Sequence, residues 1–269
     1  MCPTLRKWND APLFSFFICF KNLNKMKTNR IFLLWVLTLP AVLLVIPYLT
    51  ETLESNQLIE TLPVGRSVFL TVTFLQSALL LAISCFAGAW FSKKTGLLHS
   101  LEWRRGKIIS SLLIGVSAGL VILLADYFFE QGGIRPNLFS AEPSTFWKGM
   151  LASFYGGIAE EVIMRYFMVA LLVFLIIKIS GRDDVRFRQK AVVAAVILVA
   201  LVFGLGHLPA AGLGTDLTVP VVFRVILVNT LGGLIFGLVF IRNGLFHSMI
   251  AHFAADMMIL FIFPIIYFS

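Results

Sequence analysis

The chain has 269 residues, of which 59% are hydrophobic and only 13% are charged, and its mean hydropathy is +0.92. A soluble domain of this size needs more charged residues to cover its surface. The composition therefore indicates a polytopic membrane protein. The net charge of +8 comes mostly from connectors between apolar runs. This distribution is typical of the positive-inside bias of helical membrane proteins rather than of nucleic-acid binding. The three cysteines, Cys2, Cys19 and Cys85, predict neither a metal site nor a disulfide framework.

Residues 1–30 form a basic N-terminal segment. Its apolar patch from Ala11 to Phe20 is too short to span a bilayer. No convincing cleavage site follows the first apolar run, so we expect a retained anchor rather than a signal peptide. Met26 begins a basic stretch that leads directly into an apolar run. Residues 1–25 are therefore interpreted as an upstream extension, or as a segment that is at least dispensable.

Seven apolar runs follow, each long enough to cross about 30 Å of hydrocarbon as a helix. No alternating pattern of a β-barrel appears, so the predicted fold class is an all-α transmembrane helical bundle over residues 31–269. Gly115/Gly119 and Gly233/Gly237 have the GxxxG spacing that lets helices approach closely. The runs lie near residues 31–49, 67–92, 108–129, 148–179, 190–208, 219–241 and 245–267.

The fourth run is unusually long. A straight helix over residues 148–179 would measure about 45 Å, so this span must tilt, protrude or bend, and Gly156-Gly157 is the predicted bend. A separate crossing at residues 144–156 would give eight helices instead of seven. That segment is too short and too polar to cross alone, so seven is the prediction and eight the alternative.

The connectors predict the orientation of the chain. Basic residues concentrate in the N-terminal segment and in connectors 93–107 and 180–190, whereas connector 50–66 is acidic and connector 209–218 carries only Asp216. The positive-inside rule therefore predicts a cytoplasmic N-terminus and an external C-terminus, in the plasma membrane. His99 lies in a basic connector and is expected to be solvated.

The stretch Gly156–Arg165 places two carboxylates and an arginine inside an apolar run. Ionised groups are expensive there, so Glu160, Glu161 and Arg165 predict a functional site. Glu161 and Arg165 share one helical face and predict an ion pair, whereas Glu160 is rotated by about 100° and needs another partner. One acid is expected to be structural and the other to react. The alternative is a buried polar knot that only joins helices.

Two histidines later in the chain are candidate partners. His207 ends the fifth run, and His252 lies within the seventh run, four residues before Asp256. We expect Asp256 to fix the tautomer of His252. With the two glutamates, these residues form a set able to bind a divalent metal or to polarise water. On straight helices the two histidines would differ in depth, which favours helices that are tilted or broken around a cavity.

Other polar residues within the runs are weaker candidates. Asp126 and His247 are expected at the membrane interface, and Arg224 is expected to snorkel toward the outer interface. Asn229 is expected to contact the site or to link helices. No GxSxG, Ser/Lys or HExxH motif stands out, so serine-type and zincin-type chemistry have no support.

Three short motifs follow one another in the C-terminal half. They resemble the EExxxR, FxxxH and HxxxN/D motifs of the CPBP family, which contains the type II CAAX prenyl endopeptidases and the bacteriocin-processing and immunity membrane proteins called Abi. The resemblance covers about residues 145–267, whereas residues 1–140 show only membrane character. Met164 and Tyr166 flank the arginine where the family often has an aromatic residue and a glycine. In this chain the motifs read Glu160-Glu161-x-x-x-Arg165, Phe203-x-x-x-His207 and His252-x-x-x-Asp256.

The resemblance implies hydrolysis of a peptide bond inside the membrane by an activated water. By motif position, Glu160 would be the general base and His207 would help to hold the water. His252 and Asp256 would stabilise the oxyanion or help to hold a metal.

The resemblance also implies that Glu161 and Arg165 orient the site. Zinc or another divalent metal, held by Glu160, His207 and His252, is one implied cofactor arrangement. A metal-free glutamate mechanism is the other, and both stay open at this point.

The implied partners are the lipid bilayer and a hydrophobic or lipidated peptide or protein. Prenylated CAAX peptides, peptide precursors and other membrane proteins are all compatible substrates. A non-enzymatic scaffold or bacteriocin-immunity protein of the same fold is the main alternative. A proton- or ion-coupled transporter is a further one, disfavoured because no inverted repeat is evident.

Overall fold

The computed structural model describes residues 28–60, 62–97, 105–134, 146–213 and 215–268. The predictions for residues 1–25 and for His99 lie outside this part of the chain. Within it there is no strand, and the all-α prediction is confirmed. Among the described residues, seven helical spans are long and apolar enough to cross a membrane, namely Thr28–Ser55, Arg66–Thr95, Gly106–Gln131, Phe146–Ser180, Val185–Ala211, Val219–Asn243 and Leu245–Ile266.

Eleven α-helices and three π-helical segments build the described part of the chain. The α-helices are α1 (Thr28–Leu44), α2 (Ile46–Ser55), α3 (Arg66–Thr95), α4 (Arg105–Gln131), α5 (Phe146–Phe154), α6 (Ala170–Ser180), α7 (Val185–Gly206), α8 (Leu208–Ala211), α9 (Val219–Asn243), α10 (Leu245–Met257) and α11 (Phe263–Phe268). The π-helical segments are π1 (Tyr155–Glu160), π2 (Val162–Val169) and π3 (Met258–Ile262).

The long fourth span stays unbroken from Phe146 to Ser180, so α5 is not a separate crossing. At the predicted bend, Gly156-Gly157, the chain passes from α-helix into π1. π-helical turns are rare and occur frequently at functional sites. Here they lie on both sides of Glu161, the one residue between π1 and π2.

Local signals end and begin the helices. The carboxylate of Asp184 accepts a hydrogen bond of 2.9 Å from the backbone N–H of Phe187 and caps the start of α7. Gly244 is the single residue between α9 and α10 and has φ +94°. A residue with a Cβ would be strained there, so this glycine permits the abrupt connection between the last two spans.

The GxxxG glycines bring helices into backbone contact, as their spacing predicts. A Cβ added at Gly119 would lie 2.9 Å from the carbonyl oxygen of Ala255, so α4 lies directly against α10. One added at Gly233 would lie 3.0 Å from Cα of Ala200, so α9 lies equally close to α7. Such contact sets the inner helices at a separation that larger side chains would prevent.

The spans differ in how much of their surface lies inside the protein. Half of the apolar window of Val219–Asn243 is buried, but only 17% of that of Thr28–Ser55 and of Arg66–Thr95. The remaining apolar faces are exposed, as expected of surfaces that contact lipid tails rather than water. The protein is therefore a multi-pass integral membrane protein, with its central helices in the C-terminal half.

Asp126, Arg224 and His247, which the sequence predicts at the membrane interface, are buried inside the protein, and their depth in the bilayer stays a prediction. Asp126 on α4 and Arg224 on α9 are 1% and 5% exposed, and their Oδ2 and Nη2 atoms form an ion pair of 2.7 Å. The packing of α4 beside α9 brings the two charges together, which makes burial tolerable. His247 is fully buried near the start of α10. Asn229 donates to the carbonyl of Val225 within its own helix at 2.8 Å, instead of linking helices.

Candidate active site

Glu161 is the centre of a buried polar cluster. Its Oε1 lies 2.8 Å from Nη1 of Arg165 and 2.8 Å from Nδ1 of His252. Its Oε2 accepts a hydrogen bond from the hydroxyl of Ser248. The ion pair predicted from the four-residue spacing is confirmed. One ion pair and two hydrogen bonds thus replace the solvent around this fully buried carboxylate.

Arg165 is buried and held on several sides. Its Nη2 donates to the carbonyl oxygen of Gly233 at 3.1 Å. The guanidinium carbon lies 5.1 Å from the ring centroid of Phe203 and 5.7 Å from that of Phe236. Both distances suit cation–π attraction. The guanidinium therefore has a counter-ion, a carbonyl acceptor and two aromatic faces in place of water.

Glu160 differs from its neighbour in accessibility. Its side chain is 23% exposed, whereas that of Glu161 is 0% exposed. The only described cation within ion-pairing distance of Glu160 is the ring of His252, whose Nε2 lies 3.8 Å from Oε2. The adjacent acids are thus divided into one enclosed carboxylate, paired with Arg165, and one that is partly exposed.

His252 joins the two acids. Because a carboxylate only accepts hydrogen bonds, the contact with Glu161 places a proton on Nδ1 of His252. The opposite nitrogen, Nε2, lies 3.6 Å from Oδ2 of Asp256. The ring stacks on Phe236 with 4.3 Å between centroids and 20° between planes. These contacts hold the imidazole in one orientation.

The residue that fixes the tautomer of His252 is Glu161, whereas the sequence predicts Asp256. Helix α10 packs against π1 and π2, so the longer glutamate side chain reaches Nδ1 from another helix. Asp256, one turn further along α10, approaches Nε2 instead. Nε2 of His252 lies 3.6 Å from the carboxylate of Asp256 and 3.8 Å from that of Glu160. Both distances are longer than a hydrogen bond, so neither carboxylate bonds directly to Nε2.

Two glycines make room for this cluster. A Cβ at Gly156 would collide with Oδ2 of Asp256 and would lie 3.2 Å from Nε2 of His252. One at Gly157 would lie 2.7 Å from Cβ of Phe253. The absence of side chains in π1 therefore lets α10 approach closely enough for its histidine to reach both glutamates.

His207 lies beside the cluster, with an aromatic ring between. It caps the end of α7, and its Nδ1 lies 2.7 Å from the carbonyl oxygen of Phe203. The Phe203 ring lies 4.5 Å from the His207 ring and 5.6 Å from the His252 ring. In the described part of the chain, no hydrogen bond or ion pair joins His207 to Glu160.

Five of the six predicted site residues are therefore in one cluster, and His207 borders it. The Phe203 ring contacts both histidine rings and so connects His207 to the cluster. Since a carbonyl only accepts, Nδ1 of His207 carries its proton. Its Nε2 is then the ring nitrogen left to accept a hydrogen bond.

The donors in the cluster do not fit a metal ion. Among the described residues, no group of three or more His, Cys, Asp or Glu side chains is arranged to hold one. Of the predicted ligands, His207 is separated from His252 by the Phe203 ring. The metal site predicted from Glu160, His207 and His252 therefore stays a prediction.

The sequence predicts no role in the site for three residues that belong to the cluster. They are Ser248, which bonds Glu161, Gly233, whose carbonyl accepts from Arg165, and Phe236, which stacks on His252. Ser248 lies four residues before His252, so the shared helical face was a usable indication. Gly233 and Phe236 act through a carbonyl group and a ring face, which no polar motif reveals.

Comparisons with known proteins bear on this half of the chain. Residues 142–258 match the family model described as type II CAAX prenyl endopeptidase Rce1-like. Comparison with curated proteins and with solved structures finds no match. The matched segment contains all three motifs and every residue of the cluster. The resemblance to the CAAX-protease family is thus confirmed, and residues 142–258 carry an Rce1-like domain.

Proposed function

We propose that this protein is an intramembrane endopeptidase that hydrolyses a peptide bond of a membrane-associated or prenylated, CAAX-type protein or peptide precursor. The observation that carries the proposal is the contrast between the two adjacent acids. Glu161 is fully buried and is held by Arg165, His252 and Ser248, whereas Glu160 is partly exposed and faces the Nε2 side of a fixed imidazole. The match of this segment to a family of prenyl endopeptidases gives the contrast a chemical meaning.

Glu160 is the general base in the proposed reaction. It takes a proton from a water, and the hydroxide oxygen forms a bond to the scissile carbonyl carbon, whose oxygen becomes an oxyanion. Glu160 then passes the proton to the amide nitrogen, the C–N bond breaks, and a carboxylate and an amine result. A positioned carboxylate typically contributes about 10²–10⁴-fold to such a step.

The two histidines hold the water and the oxyanion. His207 donates through Nδ1 to its own helix, so Nε2 is available to accept a hydrogen bond from the attacking water. His252 is held through Nδ1 by Glu161, and in its doubly protonated imidazolium form, which the surrounding carboxylates favour, it also donates from Nε2 toward the developing oxyanion. The carboxylate of Asp256 lies 3.6 Å from that nitrogen and favours its protonated form. Loss of one oxyanion donor typically lowers the rate by about 10²–10³-fold.

Glu161 and Arg165 are positioning residues in this scheme. They touch no reacting atom, but they hold His252 and the end of π1 in place. The predicted zinc or other divalent metal has no role in these steps. Metal analysis of the active, purified protein tests that prediction independently, because one bound metal per chain would require a different water site.

The decisive experiment compares Glu160→Gln with the parent protein. Both are reconstituted with a fluorogenic prenylated CAAX peptide and with an unprenylated hydrophobic peptide. We expect Glu160→Gln to lower cleavage by about 10²–10⁴-fold while thermal unfolding is unchanged. Glu54→Gln is the matched control, since Glu54 forms an exposed ion pair with Arg66. Undiminished cleavage by Glu160→Gln would overturn the proposal.

The same experiment separates the other functions. A scaffold or immunity protein of this fold would keep its activity in cells after Glu160→Gln and would cleave neither peptide. A transporter would show proton or ion flux in proteoliposomes that Glu160→Gln abolishes. Neither has an observation in its favour comparable to the divided pair of acids.

We also propose the orientation that the connectors predict, with the N-terminus in the cytoplasm of a plasma membrane and the C-terminus outside. Cysteine labelling from each side of intact cells tests it. The division into a dispensable segment within residues 1–30 and a membrane domain over residues 31–269, with a catalytic core at about 145–267, is a further proposal. Deletion of residues 1–25 should leave peptide cleavage intact.

A further inference from the structure

Two spans carry a paired arrangement of lysine and aromatic side chains away from the candidate active site. Nζ of Lys94 lies 5.5 Å from the Trp90 ring centroid on α3, and Nζ of Lys178 lies 5.9 Å from the Phe174 ring centroid on α6. The two rings meet edge to face with their centroids 5.4 Å apart. The contact between the rings makes the two lysines, from different helices, parts of one surface. We call Trp90, Lys94, Phe174 and Lys178 the lysine–aromatic patch.

The positive charges of this patch are not neutralised by the protein. Lys94 and Lys178 are exposed, and in the described part of the chain no carboxylate forms an ion pair with either. Nearby cations behave differently, since Arg188 binds Asp183 at 2.6 Å and Arg182 binds Asp184 at 3.3 Å. An anion from outside the protein is therefore the available counter-charge for the patch.

The patch faces the bilayer near its edge. Trp90 is 50% exposed, and Ile179, beside Lys178, is 84% exposed. Both lysines lie in the last turn of a membrane-spanning helix, one ending before Gly96 and the other before Gly181. Tryptophan and lysine at such positions lie at the level of lipid headgroups. The patch thus combines two cations at phosphate depth with an apolar face below them.

We propose that the lysine–aromatic patch binds the headgroup of an anionic phospholipid. Its phosphodiester contacts the ammonium groups of Lys94 and Lys178, and an acyl chain lies along the exposed face of Trp90 and Ile179. Binding is specific rather than diffuse because the two rings hold the lysines of separate helices over one surface. Basic pockets between membrane helices are a recurring form of lipid headgroup site.

A lipid bound there would join α3 to the span that carries the candidate active site. Helix α3 packs against π2, where a Cβ added at Gly88 would lie 2.6 Å from the Tyr166 ring. Tyr166 directly follows Arg165 in the chain. The lipid would thus brace the outer surface of the helix that holds the buried arginine. The proposal does not depend on the proposed peptidase activity.

The test uses the full chain, purified in detergent and titrated with phosphatidylglycerol or with phosphatidylcholine of the same acyl chains. Native mass spectrometry measures the apparent Kd of the first bound lipid. We expect phosphatidylglycerol to bind more tightly. The double variant Lys94→Ala/Lys178→Ala should weaken its binding by about 25-fold, since one lysine near an anionic surface contributes about a factor of five. Phosphatidylcholine binding should not change.

Lys190→Ala is the matched control, because Lys190 is an exposed lysine on α7 outside the patch. It should bind phosphatidylglycerol like the parent protein. Equal binding of the two lipids, or an equal loss in Lys190→Ala, would overturn the proposal. Inorganic phosphate that competes as well as the lipid would also overturn it. If the double variant does not fold, Lys178→Gln alone should weaken binding about 5-fold, and unchanged binding would again count against the site.

Discussion

Two buried charge clusters lie in the described part of this bundle, and they differ in what remains after their charges are paired. The Asp126–Arg224 pair between α4 and α9 consists of one acid and one base, both almost fully enclosed. The cluster around Arg165 has one base and more than one carboxylate, and Glu160 is partly exposed. Burial of charge is therefore not what marks the candidate active site. A partly exposed acid beside a fixed imidazole is the distinguishing feature.

The largest expected effect on stability comes from removing Arg165, the cation of the cluster around Glu161. Arg165→Met leaves the buried carboxylate of Glu161 without its counter-ion, so we expect the free energy of unfolding to fall by about 3–5 kcal/mol. Detergent titration of secondary structure measures it. Arg182→Met removes an exposed ion pair and should change stability by less than about 1 kcal/mol. Similar values for the two variants would contradict the central role of Arg165.

The second cluster should affect stability without affecting chemistry. Asp126→Leu leaves Arg224 buried and unpaired and should lower the free energy of unfolding by about 3–5 kcal/mol, whereas Asp126→Leu/Arg224→Met should restore most of it. Peptide cleavage per folded molecule should match the parent in the double variant. Reduced cleavage by a stable double variant would mean that this pair also contributes to the reaction, which would contradict the distinction between the two clusters.

Gly156 tests the spacing of the reactive cluster. Gly156→Ala introduces a Cβ where Oδ2 of Asp256 lies, which displaces the Nε2 side of His252. Displacement by about 1 Å typically lowers a rate by about 10²-fold, and we expect that loss in kcat for peptide cleavage. Gly106→Ala is the control, since its Cβ would meet nothing within 4 Å. Equal kcat values in the two variants would argue against a role for this close contact.

Ser248 tests whether the enclosed acid needs all its donors. Ser248→Ala removes the hydroxyl that donates to Glu161 and should lower the free energy of unfolding by about 1–3 kcal/mol. Cleavage should fall less than in Glu160→Gln, because Arg165 and His252 still hold the carboxylate. Ser110→Ala, which removes a contact to a helix carbonyl, is the control. A variant as stable as this control would show that the third donor is dispensable.

The smallest effect is expected outside the membrane, at the start of α7. The backbone N–H of Phe187 holds the pKa of Asp184 below its ordinary value. Its contribution to stability is therefore present above about pH 3.9, the ordinary value, and is lost as the pH falls through the lowered pKa. Asp184→Asn should remove this pH dependence while leaving the cap largely intact, as measured by unfolding midpoints between pH 2 and pH 6. An unchanged profile would contradict it.

Several features of the site follow from spacing along one helix. The Glu161–Arg165 ion pair was predictable because residues four apart share a helical face, and packing did not alter that. The seven spans were predictable because a run of apolar residues is sufficient to define a membrane helix. Ser248 was within reach of the same reasoning, since it shares a face with His252.

Contacts between helices were predicted less well. Asp126 and Arg224 are 98 positions apart in the printed sequence, and nothing local indicates that their helices lie side by side. The sequence also predicts the wrong residue to fix the tautomer of His252, Asp256 instead of Glu161, because Glu161 reaches the ring from another helix.

The sequence by itself determined the membrane class, the all-α bundle, the order of the three motifs and the division of the two acids, because hydropathy and helical periodicity are local properties. The tertiary structure alone decided which acid holds His252, which charges pair at a distance and where His207 lies. Those contacts depend on which helix faces meet and at what separation. In this protein that separation is set by glycines and aromatic rings, whose roles become visible only once the helices are packed.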